Sequence, residues 1–128
     1  MLKTLALACA VAGFALPALP ADAVQSPYTS TALTQLLSDR KPVAVDFHAD
    51  WCPTCRAQAP ILKSLASEPE FRNLTILVAD FDTALALRKQ LHVDQQSTIV
   101  VFRDGKEIAR ATGATDKAQL AALLRRAL

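Results

Sequence analysis

The chain has 128 residues and a formal net charge of +2, from 14 Lys and Arg against 12 Asp and Glu. This length suffices for one folded domain with a modest core, and it excludes a second domain of ordinary size. The basic residues are scattered without aromatic residues between them, so the composition does not indicate a nucleic-acid partner.

Residues 1–23 have the pattern of a secretory signal peptide. Lys3 precedes the apolar stretch TLALACAVAGFALPAL, and the small residues of ADA, residues 21–23, occupy the positions that a signal peptidase recognises. We therefore expect cleavage after Ala23 and export to the periplasm.

Two alternatives apply to this segment. An uncleaved membrane anchor is disfavoured because Pro17 and Pro20 interrupt the apolar stretch, which is short for a bilayer span. A lipoprotein modified at Cys9 is disfavoured because almost no apolar stretch precedes that cysteine. Residues 24–128 are expected to form the folded domain.

The first half of this domain contains two predicted helices and one strand. Residues 24–30 are polar and turn-prone, and apolar positions at helical spacing predict a helix over residues 31–40. The nearly continuous apolar run at residues 43–47 predicts a strand buried on both faces. A second helix is predicted over residues 52–67, and we expect Pro60 to kink this helix without ending it.

The second half continues the alternation of strands and helices. A buried strand is predicted over residues 74–81, a helix over residues 83–91 and a strand over residues 97–102. The turn sequence RDGKE predicts a hairpin that pairs this last strand with residues 107–112, and a final helix covers residues 117–128. This order predicts an α/β fold, with a central mixed β-sheet flanked by helices on both faces.

Cys52 and Cys55 are the two cysteines that remain after loss of residues 1–23. A disulfide across so short a gap removes little entropy from the unfolded chain, so the spacing favours redox chemistry over a structural bridge. At the start of a helix, Cys52 would be stabilised as a thiolate able to attack a disulfide. Cys55, less exposed on the same side, would resolve the mixed disulfide.

Two residues near the cysteines extend this hypothesis. A carboxylate inside a buried strand requires a partner or a function, and Asp46 is placed to approach Cys55 from below and act as a general base, directly or through water. Trp51 would shield the cysteines and offer a substrate an apolar surface. The alternatives are a solvated Asp46 at a strand end and a Trp51 buried in the core.

The segment VDFHADWCPTCR resembles the active-site segment of thioredoxins, and the hairpin STIVVFRDGKEIARATG and the final helix follow in thioredoxin order. The resemblance implies the thioredoxin fold and an exported thiol–disulfide oxidoreductase acting on protein disulfides. It assigns attack to Cys52, resolution to Cys55, the buried acid to Asp46 and the flanking tryptophan to Trp51. WCPTCR is also similar to the periplasmic reductase of cytochrome c maturation, although this chain is too short for the insertion of that branch.

The chain departs from the family pattern at three places. Ser97 stands where the family has a cis-proline, so we expect a trans bond from Gln96 to Ser97. Val78 stands where the family has a buried lysine. Pro-Thr separates the cysteines, in place of Gly-Pro. The residues predicted to bind substrate are Trp51, Pro53, Thr54, Gln96 and Ser97.

Other functions remain open at this point. His48, Asp50, Cys52 and Cys55 are a local set of possible zinc or copper ligands, although a strand end and a helix start present them poorly. A redox-inactive binding module is a further alternative. For the leading hypothesis we expect no cofactor, a membrane electron donor that recycles the dithiol, and a monomer.

Overall fold

The computed structural model describes residues 24–128, so the predicted signal peptide lies outside the described residues. Five strands form one mixed sheet in the order β1-β3-β2-β4-β5. The strands are β1 (Val24–Pro27), β2 (Val43–His48), β3 (Thr75–Asp80), β4 (Thr98–Arg103) and β5 (Lys106–Thr112). The helices are α1 (Ser30–Ser38), α2 (Pro53–Ala66), α3 (Leu85–Leu91) and α4 (Lys117–Arg125), with a 3₁₀ turn at Pro69–Phe71.

The sheet has a hydrophobic core on each face. On one face Ala44 of β2 packs with α2 and α4, through residues such as Leu62 and Leu120. On the other face Phe47 packs with α1 and α3, through residues such as Leu33. The predicted α/β class, with helices on both faces of a mixed sheet, is therefore confirmed.

Strand β1 was not predicted, because residues 24–30 were interpreted as a turn. It pairs in parallel with β3, from Val24 opposite Thr75 to Pro27 opposite Val78. A short edge strand has a single neighbour and a solvated side, so it lacks the apolar alternation by which strands are recognised.

Helix α1 begins and ends earlier than predicted. Thr29 precedes it as the N-cap, and its hydroxyl accepts a hydrogen bond from the Ala32 N–H at 3.1 Å. Arg40, which was assigned to the helix, lies beyond its end with a left-handed φ of 54°. Helix α2, by contrast, continues through Pro60 as predicted.

The predicted hairpin between β4 and β5 is confirmed, and its loop consists of two residues, because the strands extend to Arg103 and from Lys106. Asp104 and Gly105 both have positive φ, at 54° and 78°, as a type I′ turn requires. Within the described residues no helix combines the length and apolar character needed to cross a bilayer.

The sheet order determines where the functional residues meet. β2 and β4 are antiparallel neighbours, with Phe47 opposite Thr98. The carboxyl end of β2, which leads into α2, therefore lies beside the loop that precedes β4. This arrangement places the residues around Cys52 next to those around Ser97.

Candidate active site

Cys52 is the N-cap of α2, and Pro53 occupies the first turn of that helix. The Cys52 Sγ accepts a hydrogen bond from the Cys55 N–H at 3.2 Å. Both residues are free thiols and are almost fully covered, with 2% of Cys52 and 1% of Cys55 exposed. Cys55 is the less exposed of the two, as expected, although the difference is small.

The two thiols differ in their pKa values. Burial would raise the pKa of Cys52, but hydrogen bonds to its sulfur lower this pKa below its ordinary value. The donors are the Cys55 side chain, the backbone N–H groups of Cys55 and Thr54, and the Gln96 side chain. Burial raises the pKa of Cys55 to about 11, and its interaction with Cys52 adds to the rise. The site therefore favours one thiolate, on Cys52, with a protonated Cys55 beside it.

Asp46 lies in the middle of β2 and is 3% exposed, so a solvated carboxylate at a strand end is the wrong description. Its neighbours across the sheet are Val78 on β3 and Ile99 on β4, so Val78 does occupy the adjacent position on β3. Burial raises the pKa of Asp46 to about 6, and the electrostatic interaction with His48 partly opposes the rise. Within residues 24–128, Asp46 Oδ1 has no hydrogen-bond partner.

Trp51 lies at the surface with 57% of its area exposed, so its placement in the core is the wrong alternative. Its indole N–H donates to Asp82 Oδ2 at 2.7 Å. Asp82 is in turn positioned by its own N–H, which donates to Asp80 Oδ1 at 2.8 Å. Asp82 was not predicted as a site residue, because it lies 31 residues from Trp51 in the chain.

The loop before β4 brings Gln96 and Ser97 to the cysteines. The bond between them is trans, as expected, and Ser97 has a left-handed φ of 59°. Ser97 is buried, its N–H donates to the Phe47 carbonyl at 2.9 Å, and its hydroxyl donates to the Gln96 carbonyl at 2.6 Å. Ser97 thus holds the loop against β2, and Gln96 is the residue of the two that is partly exposed.

Pro53 is exposed and Thr54 half-buried at the start of α2, so both lie at the surface beside Cys52. Gln58, a buried residue of α2, was also not predicted, and its side-chain amide contacts the Ser97 carbonyl. The sequence feature that could have identified Gln58 is its polar amide on an otherwise apolar face of α2.

The geometry gives no support to the metal-binding alternative. Within the described part of the chain, no three His, Cys, Asp or Glu side chains are grouped as metal ligands. His48 Nε2 instead forms a hydrogen bond with Asp50 Oδ1 at 3.0 Å.

Comparison with known proteins agrees with this geometry. Residues 25–126 match the family model described as Thioredoxin. The thioredoxin of Mycobacterium tuberculosis is 39% identical over 87 residues, which are 68% of this chain and 74% of that protein. The bifunctional thioredoxin reductase/thioredoxin of Mycobacterium leprae is 39% identical over 85 residues, which are 66% of this chain and 18% of that protein.

Solved structures give the same assignment. Trxlp from Edwardsiella tarda matches with a TM-score of 0.76 and 39% identity, over 78% of this chain and 97% of that one. The thioredoxin of Fasciola hepatica matches with a TM-score of 0.70 and 28% identity, over 82% of this chain and all of that one. The chain therefore belongs to the thioredoxin family, and it is a thiol–disulfide oxidoreductase with the thioredoxin fold.

Proposed function

We propose that the mature protein is exported and reduces protein disulfides through a dithiol–disulfide cycle of Cys52 and Cys55. The observation that carries the proposal is the position of Cys52 at the start of α2, where its sulfur accepts a hydrogen bond from the Cys55 N–H at 3.2 Å and both thiols are buried together. The lowered pKa of Cys52 and the raised pKa of Cys55 agree with this geometry. A thiolate beside a protonated thiol is the arrangement that attack followed by resolution requires.

The reaction has two exchange steps. The Cys52 thiolate attacks one sulfur of the substrate disulfide, which forms a mixed disulfide and releases the other substrate sulfur as a thiolate. Deprotonated Cys55 then attacks the Cys52 sulfur and releases the second substrate thiolate. The substrate gains two electrons and, after protonation, two thiols, while Cys52 and Cys55 become a disulfide.

The second step requires a base, because the pKa of Cys55 is raised to about 11. Asp46 is the proposed acceptor, directly or through water, since it is buried with a carboxylate oxygen that has no partner among residues 24–128. With its pKa raised to about 6, Asp46 is a stronger base than an ordinary aspartate and is ionised at neutral pH.

The substrate is proposed to contact the surface around the Cys52 sulfur. Trp51 offers an exposed apolar ring held by Asp82, and Pro53 and Thr54 lie beside it at the helix start. Gln96 borders the same surface, where its backbone would pair with a substrate strand.

An insulin reduction assay with dithiothreitol as electron donor tests this function. We expect the parent protein to accelerate precipitation of the insulin B chain, and Cys52→Ser to abolish that acceleration. Cys55→Ser should instead accumulate a mixed disulfide that mass spectrometry detects and excess dithiothreitol releases. A parent protein that fails to exchange with insulin or with any other protein disulfide would contradict the proposal.

Export rests on the signal-peptide pattern of residues 1–23. We expect protein from the native host to be periplasmic and to begin at Val24, which intact-mass spectrometry of a cell fraction would establish. An N-terminus at Met1 in the cytoplasmic fraction would contradict it.

The recycling partner follows from the location. The fusion in Mycobacterium leprae combines a thioredoxin with a thioredoxin reductase, which suggests a dedicated reductase as electron donor. For an exported protein we propose a membrane donor that carries electrons across the bilayer. In intact cells, loss of the membrane donor should leave Cys52 and Cys55 oxidised, which thiol trapping would reveal. Loss of a cytoplasmic reductase that does not supply electrons to this donor should leave the two cysteines reduced.

A further inference from the structure

Gln58 is an unusual residue for its position. It lies on the sheet-facing side of α2, one turn after Cys55, and shares that side with Leu62 and Leu65. Only 1% of its surface is exposed. A primary amide at such a site is costly unless its polar atoms are paired, so its contacts indicate what it does.

The Gln58 amide joins three segments of the chain. Its Nε2 donates to the Ala114 carbonyl at 2.7 Å and to the Ser97 carbonyl at 3.3 Å. Ser97 immediately precedes β4 and Ala114 follows β5, and the Gly113 N–H donates to the same Ser97 carbonyl at 3.0 Å. Within residues 24–128, Gln58 Oε1 has no partner, so the donor side of the amide makes the contacts.

Ser97 is a residue that requires such support. Its φ of 59° lies in the left-handed region that residues with a Cβ rarely adopt. Such a conformation persists when surrounding contacts hold it. Gln58 supplies one of these contacts from the helix that also carries both cysteines, and so connects the loop with the reactive sulfurs.

We propose that Gln58 is a positioning residue that holds the Gln96–Ser97 loop in register with Cys52 for docking of a protein substrate. This role rests on the proposed function, because the loop borders the surface to which the substrate would bind. Gln58 does not touch the reacting sulfurs, and its effect is exerted through the Ser97 carbonyl.

The test compares Gln58→Met, which keeps the length of the side chain and removes both donors, with Leu62→Met on the same buried face as control. For insulin reduction we expect Gln58→Met to raise KM about tenfold, the effect of losing one good hydrogen bond at the docking loop. Reaction with a small aromatic disulfide, which does not need the loop, should change less than about twofold. Leu62→Met should leave both reactions within about twofold of the parent.

Two outcomes would overturn the proposal. Equal losses with insulin and with the small disulfide would assign Gln58 a merely structural role. Unchanged kinetics in both reactions would remove any positioning role. If Gln58→Met does not fold, Gln58→Asn provides the same comparison, because it keeps the amide but shortens its reach, and the same selective rise in KM is expected.

Hydrogen exchange separates this proposal from the proposed function. The Gly113 amide, which shares the Ser97 carbonyl, should exchange about tenfold faster in Gln58→Met than in Leu62→Met. That faster exchange is expected even if the parent protein fails to reduce insulin. Such a result would contradict the proposed disulfide reductase function but would still support the positioning of the Gln96–Ser97 loop by Gln58. An unchanged Gly113 exchange rate would contradict the positioning itself.

Discussion

The two cysteines have nearly the same exposed surface and opposite pKa shifts, so the groups around each sulfur distinguish them. Cys52 precedes the first turn of α2, where backbone N–H groups favour its thiolate. Cys55 lies inside that turn, where burial and the adjacent Cys52 sulfur raise its pKa.

This difference predicts the order in which the thiols react. At about pH 7, iodoacetamide should alkylate Cys52 well before Cys55, because the thiolate is the nucleophile. Peptide mapping by mass spectrometry measures both rates. In Gln96→Ala the pKa of Cys52 should rise, since the Gln96 side chain is one of the donors that lower it. Preferential labelling of Cys55 in the folded protein would contradict the assignment.

Asp46 predicts a specific pH dependence of stability. Its pKa is raised from 3.8 to about 6 in the folded protein, so the folded state binds more protons than the unfolded state between these values. The unfolding free energy should therefore fall as the pH rises from well below 3.8 to well above 6, by about 3 kcal/mol in total from this one group.

Denaturant titrations of the parent and of Asp46→Asn across this window measure the effect. The stability of the variant relative to the parent should increase by about 2 kcal/mol from pH 4 to pH 7. Asp94→Asn, at an exposed position, controls for the general loss of a negative charge. A constant difference between Asp46→Asn and the parent over this range would exclude the raised pKa.

At the scale of elements, the active site is built from the start of one helix and the ends of three strands. Helix α2 begins at the cysteines, and Pro60 leaves its apolar stripe continuous, with Leu62 and Leu65 fully covered. The hairpin of β4 and β5 contributes the Ser97 loop before β4 and Gly113 after β5, which meet where the Gly113 N–H donates to the Ser97 carbonyl at 3.0 Å. The sharp turn between these strands therefore contributes to the geometry of the site.

Two glycines of the hairpin offer a matched pair of substitutions. Gly105 and Gly113 both have positive φ, at 78° and 76°. A Cβ on Gly105 would lie 3.0 Å from the Leu37 carbonyl oxygen, whereas a Cβ on Gly113 would meet no atom within 4 Å.

Gly113→Ala should therefore cost about 1 kcal/mol, the strain of the backbone alone. Gly105→Ala should cost about 2 kcal/mol or more, because the end of α1 must also move. Thermal or urea unfolding of the two variants measures the difference. Equal losses would show that the contact with Leu37 relaxes without cost.

At the scale of the whole molecule, both edges of the sheet discourage pairing with another chain. β1 is four residues long and ends at Pro27, which has no N–H to donate. β5 carries Lys106, Glu107 and Arg110 on its exposed surface. Short edges and charged edges are features that limit edge-to-edge association.

We therefore expect the mature protein to be a monomer. Sedimentation equilibrium, with the cysteines kept reduced, should give the mass of one chain over the accessible concentration range. Replacing Glu107 and Arg110 together by Thr should promote self-association, because it removes the charges from the β5 edge. A reversible dimer of the parent protein would contradict this prediction.

The local features could be predicted from the sequence alone: the CxxC pair at a helix start, the Asp-Gly hairpin and the buried strands on which the α/β class rests. These signals act over a few residues, so they can be recognised without the fold. Three features became apparent only in the folded chain: strand β1, the contact between Asp82 and Trp51, and the contacts of Gln58 with Ser97 and Ala114. Those partners lie 31, 39 and 56 residues apart, and no local pattern specifies contacts at such separations. The pKa values of Cys52, Cys55 and Asp46 also depend on the burial and the donors that the folded chain supplies.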